Sequence, residues 1–191
     1  MAGGKRVVIV GVPGVGKTTV MKRFMDRLKE RGVKVEVVVY GTVMLEEAEK
    51  YGITDRDELR KMGLEEMKEV QLKAARRIGE MESEMLIIDT HLIIRTKEGY
   101  LPGLPTKVLK ELNPTNLVLI TASPEEIKER RESDKSRRRD MISLEEIKEE
   151  IDLSMNYLSA VSNEAGIPVM IVKNERGKVD EAVDRLMEAL G

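Results

Sequence analysis

The chain has 191 residues, with 33 Lys and Arg against 35 Asp and Glu for a formal net charge of -2. A chain of this length is expected to form one domain that buries roughly 70% of the surface its unfolded state exposes. The absence of cysteine excludes disulfides and Cys-based zinc knuckles, and the balanced charge offers no global attraction for nucleic acid or an anionic membrane.

Met1 to Lys5 lead into the first apolar run without a charged leader or cleavage segment. No apolar stretch reaches the ~18 residues of a membrane span, so a cytoplasmic protein without membrane or nucleic-acid partners is expected. Strand-like runs then recur at 6–10, 35–40, 85–89, 116–121 and 168–172, separated by segments with helical spacing. This alternation predicts an α/β fold in which a five-stranded parallel sheet lies between two helical layers.

Val7-Val8-Ile9-Val10 is followed at once by Gly11-Val12-Pro13-Gly14-Val15-Gly16-Lys17-Thr18, and then by a helix-like stretch carrying Val20, Met21, Phe24, Met25 and Leu28. The pattern Gly-x-x-x-x-Gly-Lys-Thr between a strand and a helix is that of a phosphate-binding loop of P-loop NTPases. Its backbone N–H groups wrap a polyphosphate at a helix N-terminus, which requires glycines where a side chain would block the approach. Gly11 to Thr19 are therefore the candidate ATP-phosphate site, with Lys17 on the β and γ phosphates and the Thr18 hydroxyl on Mg2+.

Gly41-Thr42-Val43-Met44 follows the second strand and reads as a turn, with Arg56 and Arg60 beyond it; together they suggest a second anion site. Leu64, Met67, Gln71, Ala74, Ile78 and Met81 share one helical face, so 64–82 is predicted to be a long helix packed on the sheet. Asp89 ends Met85-Leu86-Ile87-Ile88, where an acidic residue at the carboxyl end of a buried strand suits metal-bound water. His91, the one histidine, either steadies the following turn or touches substrate.

Ser123-Pro124 opens another helix, and Lys128 to Asp140 then gathers Arg130, Arg131, Arg137, Arg138 and Arg139. Guanidinium groups on a mobile cover would neutralise a transferring phosphoryl group, and their spacing allows a short lid that closes only with both nucleotides bound. Individually these arginines could also pair with Glu129, Glu132 or Asp134 on a solvated helix end. Ser143 with Glu146 forms a capping box, Gly166 and Pro168 stop the helix it opens, and Asn174 to Lys178 turn into a terminal helix.

A GTPase should carry Asp-x-x-Gly after its third strand and an Asn-Lys-x-Asp base reader; neither is present, nor is a Leu-Ser-Gly-Gly-Gln signature. A kinase of small phosphorylated molecules is favoured. The segments 11–19, 41–44, Asp-Arg-Asp-x-x-Arg-Lys at 55–61, Asp-Thr-His at 89–91, Thr-x-x-Gly-Tyr-Leu-x-Gly-Leu-Pro at 96–105 and Arg-x-Arg-Asp at 137–140 together resemble the archaeal-type adenylate kinases, essentially end to end.

The resemblance implies Mg2+-dependent transfer between ATP and AMP. AMP would lie near Thr42, Arg60, Arg95 and His91, metal near Thr18 and Asp89, with Lys17, Arg130, Arg137 and Arg139 acting on the transferred phosphoryl group. Arg95 takes its role by position, because the Asp-Gly-x-Pro-Arg of other adenylate kinases is absent. The resemblance also implies a homotrimer. One kinase domain spans 1–191, with a core at 1–40, 84–127 and 166–191, an AMP-binding segment at about 41–83 and a short lid at about 128–142. The rival readings are another or broad-specificity nucleoside monophosphate kinase and, from a different class, a nucleotide-dependent switch or binding protein.

Overall fold

β1 (Lys5–Val10) is apolar over its last four residues, and Val7 through Val10 are fully buried, so this strand must be covered on both faces. A computed structural model, which describes residues 4–59, 61–96, 99–133 and 143–191, places it at the centre of a five-stranded parallel sheet. The other strands are β2 (Val35–Val39), β3 (Met85–Asp89), β6 (Asn116–Thr121) and β7 (Val169–Lys173), in the spatial order β2-β3-β1-β6-β7. β1 pairs with β3 through Ile9↔Asp89 and with β6 through Val10↔Leu119, so the phosphate-loop sequence leaves the sheet between these two neighbours.

Alternate residues of the strands enter two cores. Val7, Ile9, Ile87, Val118 and Ile120 pack with α1 (Lys17–Glu30) and α8 (Val179–Leu190) on one face. Val8, Val10, Ile88, Leu117 and Leu119 pack with α2 (Tyr40–Ala48), α4 (Leu64–Gly79), α5 (Thr106–Leu112) and the later part of α7 (Leu144–Ala165) on the other. Two short helices complete this side: a 3-10 turn at Glu49–Tyr51 and α3 (Arg56–Leu59). α6 (Pro124–Ser133) follows β6.

The expected strands are found to within a residue or two. The Ser143 capping box forms as read, with Ser143 N–H donating to Glu146 at 2.9 Å and Glu146 N–H donating to Ser143 Oγ at 3.1 Å, and α7 ends at Gly166 with φ 64°. Two expectations are corrected, and one pair of strands is new. Residues 41–44 are the first turns of α2, because Tyr40 is drawn into the core and donates its buried hydroxyl to the Gln71 carbonyl at 2.5 Å. α4 ends at Gly79, and Leu64 is exposed while Val70 and Ala75 join the buried face. The stretch 96–105 contributes to an antiparallel hairpin of β4 (Ile93–Thr96) and β5 (Gly99–Pro102), with Arg95 opposite Tyr100.

At the amino end of β1, two basic residues hold the C-terminal ends of three helices. Lys5 Nζ donates to the Leu190 carbonyl of α8 at 2.8 Å. Arg6 donates to Leu112 of α5 at 2.7 Å, to Ile78 of α4 at 2.7 Å and to Met81 just beyond α4 at 3.0 Å. These carbonyls lie at helix ends, where the regular ladder runs out and only Ile78 keeps a backbone donor, from Met81 N–H at 3.2 Å; a cation supplies donors there and meets the negative end of each helix dipole. Arg6→Met is therefore expected to lower unfolding stability by about 2–3 kcal/mol, by loss of charge-assisted bonds to half-buried carbonyls. Arg6→Lys should recover a minor part, since one ammonium cannot span three carbonyls. Urea unfolding followed by circular dichroism measures both; a loss below about 0.5 kcal/mol for Arg6→Met would contradict the clamp.

Candidate active site

Gly14 at φ 93° and Gly16 at φ 80° occupy the left-handed region, and these two residues let the chain turn from β1 into α1 around a cradle of backbone N–H groups. A Cβ at Gly16 would come within 2.4 Å of Asn174 Nδ2, so side-chain crowding as well as the dihedral demands glycine here. The apolar loop residues Val12 and Val15 are buried against the α1 face of the sheet, which anchors the loop while Pro13, Thr18 and Thr19 remain exposed.

Lys17 opens α1 and reaches across to the end of β3. Its ammonium donates to the Asp89 carboxylate and to the Thr90 carbonyl, the latter at 2.7 Å. Both members of the ion pair are largely shielded from solvent, which strengthens their attraction relative to an exposed pair. The two residues expected in phosphate and metal chemistry are thus neighbours, and β-sheet register explains why: Ile9 of β1 stands beside Asp89 of β3, and the loop begins two residues later.

The arginines at the end of α6 approach the same loop from the other side. Arg130 donates to the Val15 carbonyl at 3.1 Å and to the Asn174 carbonyl at 2.9 Å, with Glu126 at 3.5 Å on its own helix. Arg131 donates to the Pro13 carbonyl at 2.7 Å and to Glu150 of α7 at 2.8 Å. The Arg131 side chain is 8% exposed, so this part of the arginine cluster is buried on an internal carboxylate. Arg137 and Arg139, like Arg60 on the acceptor side, lie outside the described residues.

Asn174, noted in the sequence only as part of a late turn, proves to be a loop contact: its Nδ2 donates to the Val15 carbonyl at 2.8 Å. The one sequence signal for it is a polar residue directly after the last strand, at the carboxyl edge where open α/β sheets bind ligands.

The remaining acceptor-side candidates are spread along that edge. Thr42 is exposed in the first turn of α2, just after β2. His91 is exposed two residues beyond Asp89. Arg95 on β4 is half exposed and meets Glu146 of the capping box at 3.5 Å. The Ser143 backbone N–H, then the Ser143 hydroxyl and the Arg95 charge, hold the Glu146 carboxyl below its ordinary range.

Residues 10–148 match the family model described as AAA domain. An adenylate kinase of Methanocaldococcus jannaschii is 45% identical over 188 residues, which cover 97% of this chain and 98% of that protein. An adenylate kinase of Thermoplasma acidophilum is 42% identical over 186 residues, covering 97% and 98%. Among solved structures, a shikimate kinase from Bacteroides thetaiotaomicron superposes with a TM-score of 0.60 at 19% identity, over 97% of this chain and 98% of that one. A shikimate kinase from Acinetobacter baumannii in complex with shikimate gives 0.61 at 15% identity, over 98% and 93%. At such identities these two report a shared fold.

The position of Lys17 generates a direct expectation. Lys17→Met should leave the fold intact, because the apolar stem is retained, yet lower phosphoryl-transfer turnover by on the order of 10^3 or more, since a charge aimed at the transferred group acts mainly in the transition state. Steady-state kinetics on the folded variant decides; a near-normal kcat would remove the loop from the chemistry.

Proposed function

The chain belongs to the adenylate kinases, which carry out the reversible transfer ATP + AMP = 2 ADP, and on that premise we propose how its residues divide the work. The observation that carries the proposal is the reach of Lys17 from the loop to the end of β3, which gathers loop, lysine and acid at one point of the sheet edge.

Gly11 to Thr19 take the phosphates of ATP on backbone N–H groups, and Lys17 exchanges Asp89 and Thr90 for the β and γ phosphates. An oxygen of the AMP phosphate attacks the γ phosphorus in line. The bond from that phosphorus to the β–γ bridging oxygen breaks, and two ADP result. No general base is needed, because the acceptor oxygen is already an anion and positioning supplies most of the rate. Thr42, Arg60, Arg95 and His91 hold AMP. The exposure of Arg95 and its long contact with Glu146 support this role, since a phosphate can replace that partner at little cost. Arg137 and Arg139 close over the transferred group from the 128–142 lid. Arg130 has five N–H donors and can grip the loop while offering the remainder to a phosphate.

Thr18 and Asp89 would hold Mg2+. Both offer hard oxygen donors, and among the described residues no group of three or more His, Cys, Asp or Glu converges. This donor set would fit a hard divalent ion that takes only one or two protein ligands. When bound, the ion neutralises charge on the β and γ oxygens. We also propose that the protein is a cytoplasmic homotrimer. The trimer is what the resemblance to the archaeal-type adenylate kinases implies, and among the described residues no helix is long and apolar enough to cross a membrane.

The test is ADP formation with AMP, CMP, UMP, GMP and dAMP as acceptors, alongside light scattering of the same preparation. AMP is expected to exceed the other ribonucleotides in kcat/KM by on the order of 10^2, as a site built to hydrogen-bond one base rejects another. The mass is expected at three times the chain's 21.6 kDa. Comparable turnover with all acceptors would assign a broad-specificity monophosphate kinase instead, and a monomer mass would remove the trimer.

A further inference from the structure

The Val15 carbonyl receives two side-chain donors from distant parts of the chain: Asn174 Nδ2 at 2.8 Å and Arg130 Nη1 at 3.1 Å. Each comes from outside the loop motif, one from the end of β7 and one from α6. The neighbouring Pro13 carbonyl is held in the same way by Arg131 Nε at 2.7 Å. In a trans peptide the C=O of one residue and the N–H of the next point in opposite directions. Fixing the Val15 carbonyl toward Asn174 and Arg130 therefore points the Gly16 N–H the other way, and fixing Pro13 does the same for Gly14. Those two N–H groups belong to the glycines with positive φ that shape the cradle.

Asn174 makes this contact under unfavourable terms. The residue is 3% exposed, and its Oδ1 is buried with no hydrogen-bond partner among the described residues. Turning the amide over would set oxygen against the Val15 carbonyl, so the orientation is dictated by the need to donate there. A buried, unsatisfied acceptor is a penalty that an apolar residue in the same place would not incur. Such a penalty is intelligible at a site where the donor end serves the reaction.

We propose that Asn174 is a positioning residue for phosphoryl transfer: its amide, with Arg130, holds the Val15 carbonyl outward and so aims the Gly16 N–H at the donor phosphates. The residue acts through the loop and does not touch the reacting atoms. The inference rests on the adenylate kinase reading for its link to turnover, whereas its link to the loop can be measured without any acceptor.

The experiment compares Asn174→Ala and Asn174→Asp with the unaltered protein. Three quantities are read: affinity for inorganic triphosphate in the absence of AMP, kcat and both KM values in ADP formation, and the 1H–15N positions of the Gly14 and Gly16 amides. In Asn174→Ala, triphosphate affinity and kcat/KM for ATP should fall about 10- to 100-fold, as expected for a lost preorganised hydrogen bond. The KM for AMP should stay within about twofold, the Gly16 amide should shift, and the melting midpoint should move by less than about 5 °C. Asn174→Asp has nearly the same shape but no donor, and its carboxylate faces the Val15 carbonyl; it should be at least as impaired. If Asn174→Asp binds triphosphate as the unaltered protein does, Asn174 merely fills space and the proposal is overturned. Equal losses for ATP and AMP, or an unmoved Gly16 amide, would overturn it too. Should Asn174→Ala not fold, the isosteric Asn174→Asp carries the test alone. An unaltered protein that forms no ADP yet binds triphosphate in an Asn174-dependent way would refute the adenylate kinase reading and leave the loop inference standing.

Discussion

A cradle built from backbone N–H groups is subject to one geometric constraint: every N–H turned inward turns the preceding carbonyl outward, and those carbonyls must find donors if they are shielded from water. Much of the architecture around residues 11–18 answers that constraint. The Val15 carbonyl is met by Asn174 and Arg130, and the Pro13 carbonyl by Arg131. Arg131 brings a buried charge with it, which Glu150 on α7 neutralises at 2.8 Å. One loop thereby draws α6, α7 and the end of β7 into a common arrangement, and a helix that would otherwise be a surface connector becomes the loop's outer wall.

The sheet separates stability from chemistry along the length of β1. At its amino end Lys5 and Arg6 bind the terminal carbonyls of α8, α5 and α4, a set of contacts that serves packing. At its carboxyl end the loop, Asp89, the first turn of α2 and Asn174 collect at the edge where the strand order reverses direction around β1. Positive charge at this edge is balanced in the structure by internal carboxylates, Asp89 for Lys17 and Glu150 for Arg131. The two pairs differ in consequence. In the proposed mechanism Lys17 gives up Asp89 to meet a phosphate, whereas Arg131 keeps both its partners, because its contact is with the loop backbone.

Local patterns made the sheet, the loop and the long helices legible in the sequence. Val7 to Val10 followed by Gly11 to Thr18 has few alternative readings, and Ser143 with Glu146 states its own hydrogen bonds. Where tertiary packing overrides local preference, the reading fails: Gly41 and Thr42 look like a turn, but burial of Tyr40 against Gln71 starts a helix there. The β4–β5 hairpin was missed because its strands are short and only partly buried, so no clean alternation marks them. The arginine cluster was recognised by composition, yet composition could not say that Arg131 faces Pro13 and Glu150. Asn174 was out of reach for a different reason. Its role depends on a partner 159 positions away in the chain, and no spacing rule connects the two.

That the loop's outer side is fixed while its lysine is exchangeable is the central claim. Its most direct test is a crystal structure with two adenosines joined by five phosphates bound across the donor and acceptor sites. Asn174 Nδ2 is expected to remain within hydrogen-bond distance of the Val15 carbonyl, while Lys17 Nζ leaves Asp89 and the Thr90 carbonyl for phosphate oxygens. A Val15 carbonyl that has swung away from Asn174, or a Lys17 still seated on Asp89 beside bound phosphates, would contradict it.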